Sequence, residues 1–140
     1  VAEFAKRRRY FNTFGGNSVA CATALAVLNV IRTQRLLENA HRVGEYLQHG
    51  LRAIGEHCTT IREVRGVGLF AGVELGAEAR RGLDARAETS RVVNDLRRRG
   101  VLVGATGRHA DVIKIRPPLT FSTQRADLLL GALNEALRSP

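Results

Sequence analysis

Apolar residues recur along this chain at two spacings, which predict helices in some stretches and strands in others. From about Thr33 to His57 they come at three- and four-residue steps with charged residues opposite, as in a helix with one buried face. The same spacing predicts helices from about Ala85 to Arg99 and from Ser122 or Thr123 to Leu137. The stretch from Ser18 to Ile31 is small and apolar nearly all round, which is typical of a helix that is buried on most sides.

Shorter apolar stretches rich in β-branched residues predict strands at Ile61–Val67, Leu69–Leu75, Val101–Val103 and Val112–Ile115. The connection between the first two strands is too short for a crossover, so an antiparallel or bulged continuation is expected. Pro117-Pro118 ends the last strand, because proline cannot donate to a sheet ladder. The order of elements predicts an α/β fold in which helices pack on a small mixed or antiparallel sheet.

Composition narrows the class of protein. Hydrophobic residues make up 44% of the 140 positions, which is enough for a real core. The net charge is +9, but the arginine clusters lie on different predicted elements and only 5% of residues are aromatic, so we expect no nucleic-acid partner. No apolar run approaches the roughly 20 residues of a membrane span, so we expect no membrane partner and a cytoplasmic location. Neither Cys21 nor Cys58 has a metal-like spacing to a histidine, and no metal site is expected.

The run from Tyr10 to Asn17 has the sequence Tyr-Phe-Asn-Thr-Phe-Gly-Gly-Asn and directly precedes the apolar helix. A threonine hydroxyl, a glycine pair free to adopt positive φ and the first N–H groups of a helix can together hold a phosphate. The same residues also suit an ordinary turn with Asn17 or Ser18 as the helix cap. Thr13 is therefore either a phosphate ligand or a hydroxyl that bonds a turn carbonyl.

Two further motifs follow, the glycine-rich segment Val64–Leu75 and the run Ile-Lys-Ile-Arg-Pro-Pro-Leu at Ile113–Leu119. With the run at Tyr10–Asn17 they resemble, from about residue 4 to 137, the C-terminal part of the class III aminotransferases. These are pyridoxal-phosphate enzymes of fold type I, so the resemblance implies pyridoxal 5'-phosphate as the cofactor and a homodimer as the intact protein. It also implies that residues 1–32 end the large cofactor-binding domain and that 33–140 form the C-terminal small domain.

The same resemblance implies roles for particular residues. Thr13 would bind the cofactor phosphate of the other subunit, while Phe14, Gly15 and Gly16 shape the loop. Lys114 matches the arginine that many members use for the substrate carboxylate, and Arg116 stands where they have a small residue. Strand alternation puts Lys114 and Arg116 on one face, so either could bind substrate, and both could equally be solvated residues of an edge strand.

The Schiff-base lysine of the family lies upstream of the segment that resembles Tyr10–Asn17. Lys6 and Lys114 are the only lysines of this chain, and neither has the matching context, so no catalytic residue is expected here. The resemblance thus implies the C-terminal part of an aminotransferase that is inactive alone and moves an amino group from an amino acid or amine to a 2-oxo acid or aldehyde.

Two alternatives remain for the function. Members that act on amino-alcohol phosphates also carry a lysine and a second cation in the run that matches Lys114 to Arg116, so an ammonia-eliminating phospho-lyase is the first. The second is a non-catalytic binding or regulatory small domain. The nearly all-round apolar helix argues against it, because an isolated piece of this length would leave much of that helix exposed.

Overall fold

A computed structural model describes residues 2–77 and 82–139. These residues form five helices and four strands, and the chain divides into two compact units, Val1–Arg35 and Leu36–Pro140. In chain order the elements are α1 (Ala2–Arg7), α2 (Ser18–Thr33), α3 (Leu36–Glu56), β1 (Ile61–Val67), β2 (Phe70–Leu75), α4 (Ala85–Arg98), β3 (Gly104–Thr106), β4 (Val112–Ile115) and α5 (Thr123–Arg138). The assignment of residues 1–32 to a large domain and of 33–140 to a small domain stays a prediction.

The first unit consists of α1, the loop that follows it, and α2. Asn17 is the N-cap of α2, since its side-chain oxygen accepts a hydrogen bond from the backbone N–H of Ala20 at 3.0 Å. None of the α2 residues is buried, and Val19 and Leu25 are 77% and 67% exposed. The sequence predicted that α2 is buried on most sides, and within this chain it is not. The sequence also predicted that an isolated piece would expose this helix, and α2 is exposed.

The second unit is built on a four-stranded antiparallel sheet in the order β1-β2-β4-β3. The strand pairing confirms the predicted antiparallel connection between β1 and β2, with a register shift between Ile61 and Glu63. Helices α3, α4 and α5 pack on the sheet and on one another. Alternate residues of β2 and β4 face them, and together they form one core, made up of Leu47, Leu51, Ala71, Val73, Leu75, Val92, Leu96, Ile113, Ile115, Ala126, Leu129, Leu133, Ala136 and Leu137.

The strand predicted at Val101–Val103 is wrong, because β3 begins three residues later, at Gly104. The reason lies at the end of α4, where Gly100 has a φ of +82°. The backbone N–H of Gly100 donates to Arg97 O, and that of Val101 donates to Leu96 O, which is the paired pattern that closes a helix with a left-handed glycine. The Val101 N–H is thus used by the helix end and is not available to the sheet.

The turn between β1 and β2 packs tightly against α3. A Cβ on Gly44 would lie 2.3 Å from the carbonyl carbon of Gly68, and Gly68 itself has a φ of +54°. Gln48, which is 7% exposed, donates from Nε2 to Gly68 O at 3.1 Å. These contacts tie the turn to the helix and leave no room for a side chain at Gly44.

Candidate functional site

The loop from Tyr10 to Asn17 is organised by the side chain of Asn12. Its Oδ1 accepts hydrogen bonds from the backbone N–H of Phe14 at 3.2 Å and of Gly15 at 2.9 Å, and its Nδ2 donates to the Tyr10 hydroxyl at 3.1 Å. The N–H groups of Phe14 and Gly15 are therefore already bonded, so these residues shape the loop and do not present free donors. The Asn12 turn is a local motif that sequence reasoning missed, although asparagine two residues before the donor is its ordinary signal.

Neither glycine of the loop has the positive φ that the sequence suggested. Gly15 is required by space instead, because a Cβ there would lie 2.7 Å from Cγ of Asn12. A Cβ on Gly16 would meet nothing within 4 Å, so this position is open. Gly15 thus allows the loop to pack against the side chain of Asn12, whereas the space beside Gly16 is open.

Thr13 lies at the tip of this loop and is exposed. Within residues 2–77 and 82–139 its hydroxyl has no hydrogen-bond partner, so it does not bond a turn carbonyl, and the carbonyl of Phe14 accepts from Asn17 Nδ2 at 2.6 Å instead. The first turn of α2 begins five residues later, and besides the capped N–H of Ala20 it presents the N–H groups of Ser18 and Val19, which have no intrahelical partner. An unpartnered hydroxyl beside a helix N-terminus fits a phosphate group, which is the end of the cofactor that the sequence assigned to Thr13.

Lys114 lies on the face of the sheet opposite the core. The strand register aligns Arg65, Gly72, Lys114 and Gly104 in one row across the four strands, so their side chains share that face. Lys114 is half-buried, has no ion pair among the described residues, and lines a hollow of about 480 Å³. Because Gly72 between Arg65 and Lys114 lacks a side chain, the floor of this hollow stays open.

Arg65 is the other cation of this hollow, and it is paired. Its guanidinium contacts Glu74 at 2.8 Å and also contacts Glu63. The hydrogen bond to Glu74, and after it that to Glu63, raises the pKa of Arg65 above its ordinary value. These pairs give Arg65 and Glu74 a structural role, and they leave Lys114 as the available cation of the hollow.

Arg116 lies one residue beyond β4 and lines a different pocket, together with Pro117 and Pro118. Strand alternation does not extend past the end of β4, and the substrate-binding roles expected for Lys114 or Arg116 stay predictions. The segment that follows is fixed by Asn39, whose Nδ2 donates to Leu119 O at 2.8 Å and to Phe121 O at 2.9 Å. Sequence reasoning missed this contact, since nothing in the sequence links residues 80 positions apart.

The part of the chain that the structure describes contains neither a candidate metal cluster nor a helix that could span a membrane. Histidine, cysteine and acidic side chains form no cluster of three or more there that could hold a metal ion. None of the described helices has both the length and the continuous apolar character that crossing a membrane requires.

An antiparallel sheet backed by helices is the fold that this chain shares with solved transferases of fold type I that use pyridoxal phosphate. The family model described as aminotransferase class-III matches residues 1–137, and the chain belongs to that family. Pyridoxal 5'-phosphate is the cofactor of this family, and one similar structure is an amine transaminase from an uncultivated Pseudomonas species in its pyridoxal-phosphate-bound form. It is 33% identical, with a TM-score of 0.77 over 96% of this chain and 30% of that one.

The relatives include both transaminases and lyases. The alanine-glyoxylate aminotransferase 2 homolog 2 of Arabidopsis thaliana, named as mitochondrial, is 43% identical over 98% of this chain. A phospholyase from Arthrobacter, solved in complex with phosphoethanolamine, is 38% identical with a TM-score of 0.86 over 99% of this chain. The chain spans 29% of the first protein and 33% of the second. The cytoplasmic location stays a prediction.

Proposed function

We propose that this chain is the C-terminal part of a pyridoxal-phosphate-dependent class III aminotransferase. It would move an amino group from an amino acid or amine to a 2-oxo acid or aldehyde. The observation that carries the proposal is the family match over residues 1–137, which includes the exposed Thr13 loop. The lysine that holds the cofactor would come from outside this chain, so the 140 residues alone would be inactive.

Thr13 would contribute the hydroxyl that donates to the cofactor phosphate, and the open position at Gly16 would let the phosphate approach. Phe14 and Gly15 would hold the loop through their bonds to Asn12. Pyridoxal phosphate, when bound, supplies the electron sink for breaking bonds at the amino-bearing carbon. By the resemblance, the loop acts on the cofactor of the other subunit, so the active protein would be a homodimer.

Lys114 would bind the anionic group of the substrate. It occupies the family position for that role, it is half-buried, and it has no acidic partner among the residues described. A lysine presents a compact charge, whereas arginine presents a planar fork that matches a carboxylate. The anionic group that binds to Lys114 can therefore be a carboxylate or another anion. Arg116 is not needed for this step, since it lines another pocket.

An ammonia-eliminating phospho-lyase is the second candidate. It is favoured by the lysine at position 114, where many members of the family have an arginine, and by the likeness to the Arthrobacter phospholyase. Both candidates use the same cofactor and the same loop. They differ in the substrate and in the fate of the amino group.

A product assay separates these candidates. A protein of the relatives' length that contains this segment, loaded with pyridoxal phosphate, is supplied either with alanine and glyoxylate or with phosphoethanolamine. A transaminase forms pyruvate and glycine from the first pair, whereas a phospho-lyase releases ammonia and inorganic phosphate from the second without any oxo acid. Formation of neither set of products, with no cofactor bound, supports the non-catalytic small domain.

A variant pair tests the role of Lys114 in the same assay. Replacing Lys114→Met removes the substrate cation and should lower kcat/KM about tenfold or more, the cost of a hydrogen bond to a charged group. Lys6→Met removes the other lysine of the chain and should leave kcat/KM unchanged. Equal kcat/KM values for the two variants would contradict the assignment of Lys114.

A further inference from the structure

A pocket of about 390 Å³ opens at one end of the sheet, between the segment before β3 and the segment after β4. It exists because the two segments do not pair. The N–H of Val101 is used by the end of α4, and Pro117 and Pro118 have no N–H to donate, so the ladder between β3 and β4 begins only at Gly104 and Lys114. The gap between these segments is covered by the first half of α5.

The walls of this pocket are mainly apolar. Val101, Val103, Ile115, Phe121 and Leu129 contribute to them, and Ile115 and Leu129 belong to the core. A cavity of this size with apolar walls and a small number of polar groups is typical of a site for a small molecule.

Two arginines, Arg116 and Arg125, supply the charge of the pocket, and none of the described residues that line it is acidic. Neither guanidinium has an ion pair or a side-chain hydrogen bond among the described residues. Both side chains are exposed, as are those of Arg97 and Arg138, which also have no carboxylate partner among the described residues. What distinguishes Arg116 and Arg125 is that both line the same apolar pocket. Two unpaired guanidiniums at one apolar pocket form a recognition element for an anion.

The position of Arg125 in α5 strengthens this argument. It lies in the first turn, which contains no acidic residue, and the positive end of the helix dipole disfavours a cation there. The stability of the helix therefore does not explain this arginine. An anion at the pocket would be attracted both by the guanidinium and by the helix N-terminus.

We propose that this pocket binds a small molecule with an anionic head and a short apolar body. The head, a carboxylate or a phosphate, pairs with Arg116 and Arg125, and the body lies against Val101, Val103 and Phe121. The site is separate from the hollow at Lys114 and needs no cofactor. It therefore goes beyond the proposed function, and its test is independent of that function.

Titration of ¹⁵N-labelled residues 36–140, which contain the whole pocket and a complete core, tests the proposal by NMR. Hexanoate and hexyl phosphate are the anionic probes, and hexylammonium and acetate are the controls for charge and for the apolar body. We expect saturable shifts at Gly100, Val103 and Leu129 with one or both anionic probes, and the stronger of the two identifies the head group. Equal shifts with hexylammonium, or shifts confined to residues outside the pocket, would overturn the proposal.

A matched pair of variants on α5 tests the charge recognition. Replacing Arg125→Gln should weaken hexanoate binding about tenfold, which is the cost of one charge-assisted hydrogen bond in an exposed setting. Arg138→Gln removes the same charge from the last turn of the same helix and should leave the dissociation constant unchanged. Identical dissociation constants for wild type and the Arg125 variant would refute the pocket as an anion site.

Discussion

At the scale of one side chain, Thr13 is the residue proposed to bind the cofactor phosphate. Its hydroxyl is exposed and unpartnered in the described part of the chain, so removing it takes nothing from the loop itself. In a protein of the relatives' length, Thr13→Val should weaken pyridoxal-phosphate binding about tenfold, whereas Thr13→Ser, which keeps the donor, should bind within about twofold of wild type. Cofactor fluorescence during dilution measures both. If the serine variant binds as weakly as the valine variant, the methyl group and not the hydroxyl matters.

Tyr46 is a second side chain with a testable environment. Its hydroxyl donates to Asp127 Oδ1 at 2.5 Å, which joins α3 to α5. That hydrogen bond to the carboxylate, and after it the negative charge of Asp127, raises the pKa of Tyr46 above its ordinary value of 10.0. The neutral phenol is therefore stabilised by folding. This contribution is fully present below the unfolded pKa and is lost as the pH rises through the folded pKa.

Alkaline titration of the phenol checks this prediction. In a Tyr10→Phe background Tyr46 is the remaining tyrosine of the chain, and its absorbance near 295 nm reports ionisation. We expect Asp127→Asn to lower the midpoint, because the amide removes the negative charge. Asp95→Asn, on α4 beside Arg99, is the control and should leave the midpoint in place. An unchanged midpoint in the Asp127 variant would show that this contact does not form in solution.

Two helical glycines allow a matched test at the scale of whole elements. A Cβ on Gly44 would overlap the backbone of Gly68 at 2.3 Å, whereas a Cβ on Gly131 in α5 would meet nothing within 4 Å. Gly44→Ala should therefore lower the free energy of unfolding by about 1–3 kcal/mol, the usual cost of overpacking. Gly131→Ala should raise it by about 0.5–1 kcal/mol, because alanine favours the helix. Urea unfolding of both variants measures the difference, and losses of equal size would contradict the close packing of α3 on the turn.

The elements differ in how far the sequence could predict them. Helices α3, α4 and α5 follow from apolar spacing, because each buries one face and exposes the other. The strand expected at Val101–Val103 failed because the N–H of Val101 closes α4, a competition that β propensity does not include. The residues of the candidate site also differ in how far the sequence could predict their placement. The turn before α2 and its Asn17 cap are local and were predicted, whereas the placement of Lys114 and Arg116 at different pockets depends on where β4 ends. The cofactor role of Thr13 stays a prediction.

At the scale of the whole molecule, the apolar core lies in one unit, whereas exposed apolar side chains occur in both. Every residue of the core cluster lies in Leu36–Pro140, while α2 of the other unit exposes Val19, Leu25 and Leu28. Exposed apolar surface of this kind binds other apolar surfaces or dyes. The two units should therefore behave differently in solution.

A truncation tests this division. We expect residues 36–140 to unfold cooperatively and to remain monomeric, because their core is complete without the first unit. The 140-residue chain should bind more anilinonaphthalene sulfonate and associate at micromolar concentration, and Leu25→Gln with Leu28→Gln should reduce both effects. Light scattering and dye fluorescence provide the measurements. If the truncated protein binds as much dye as the full chain, the surface that binds the dye lies on the sheet, where Val67 is 87% exposed, and not on α2.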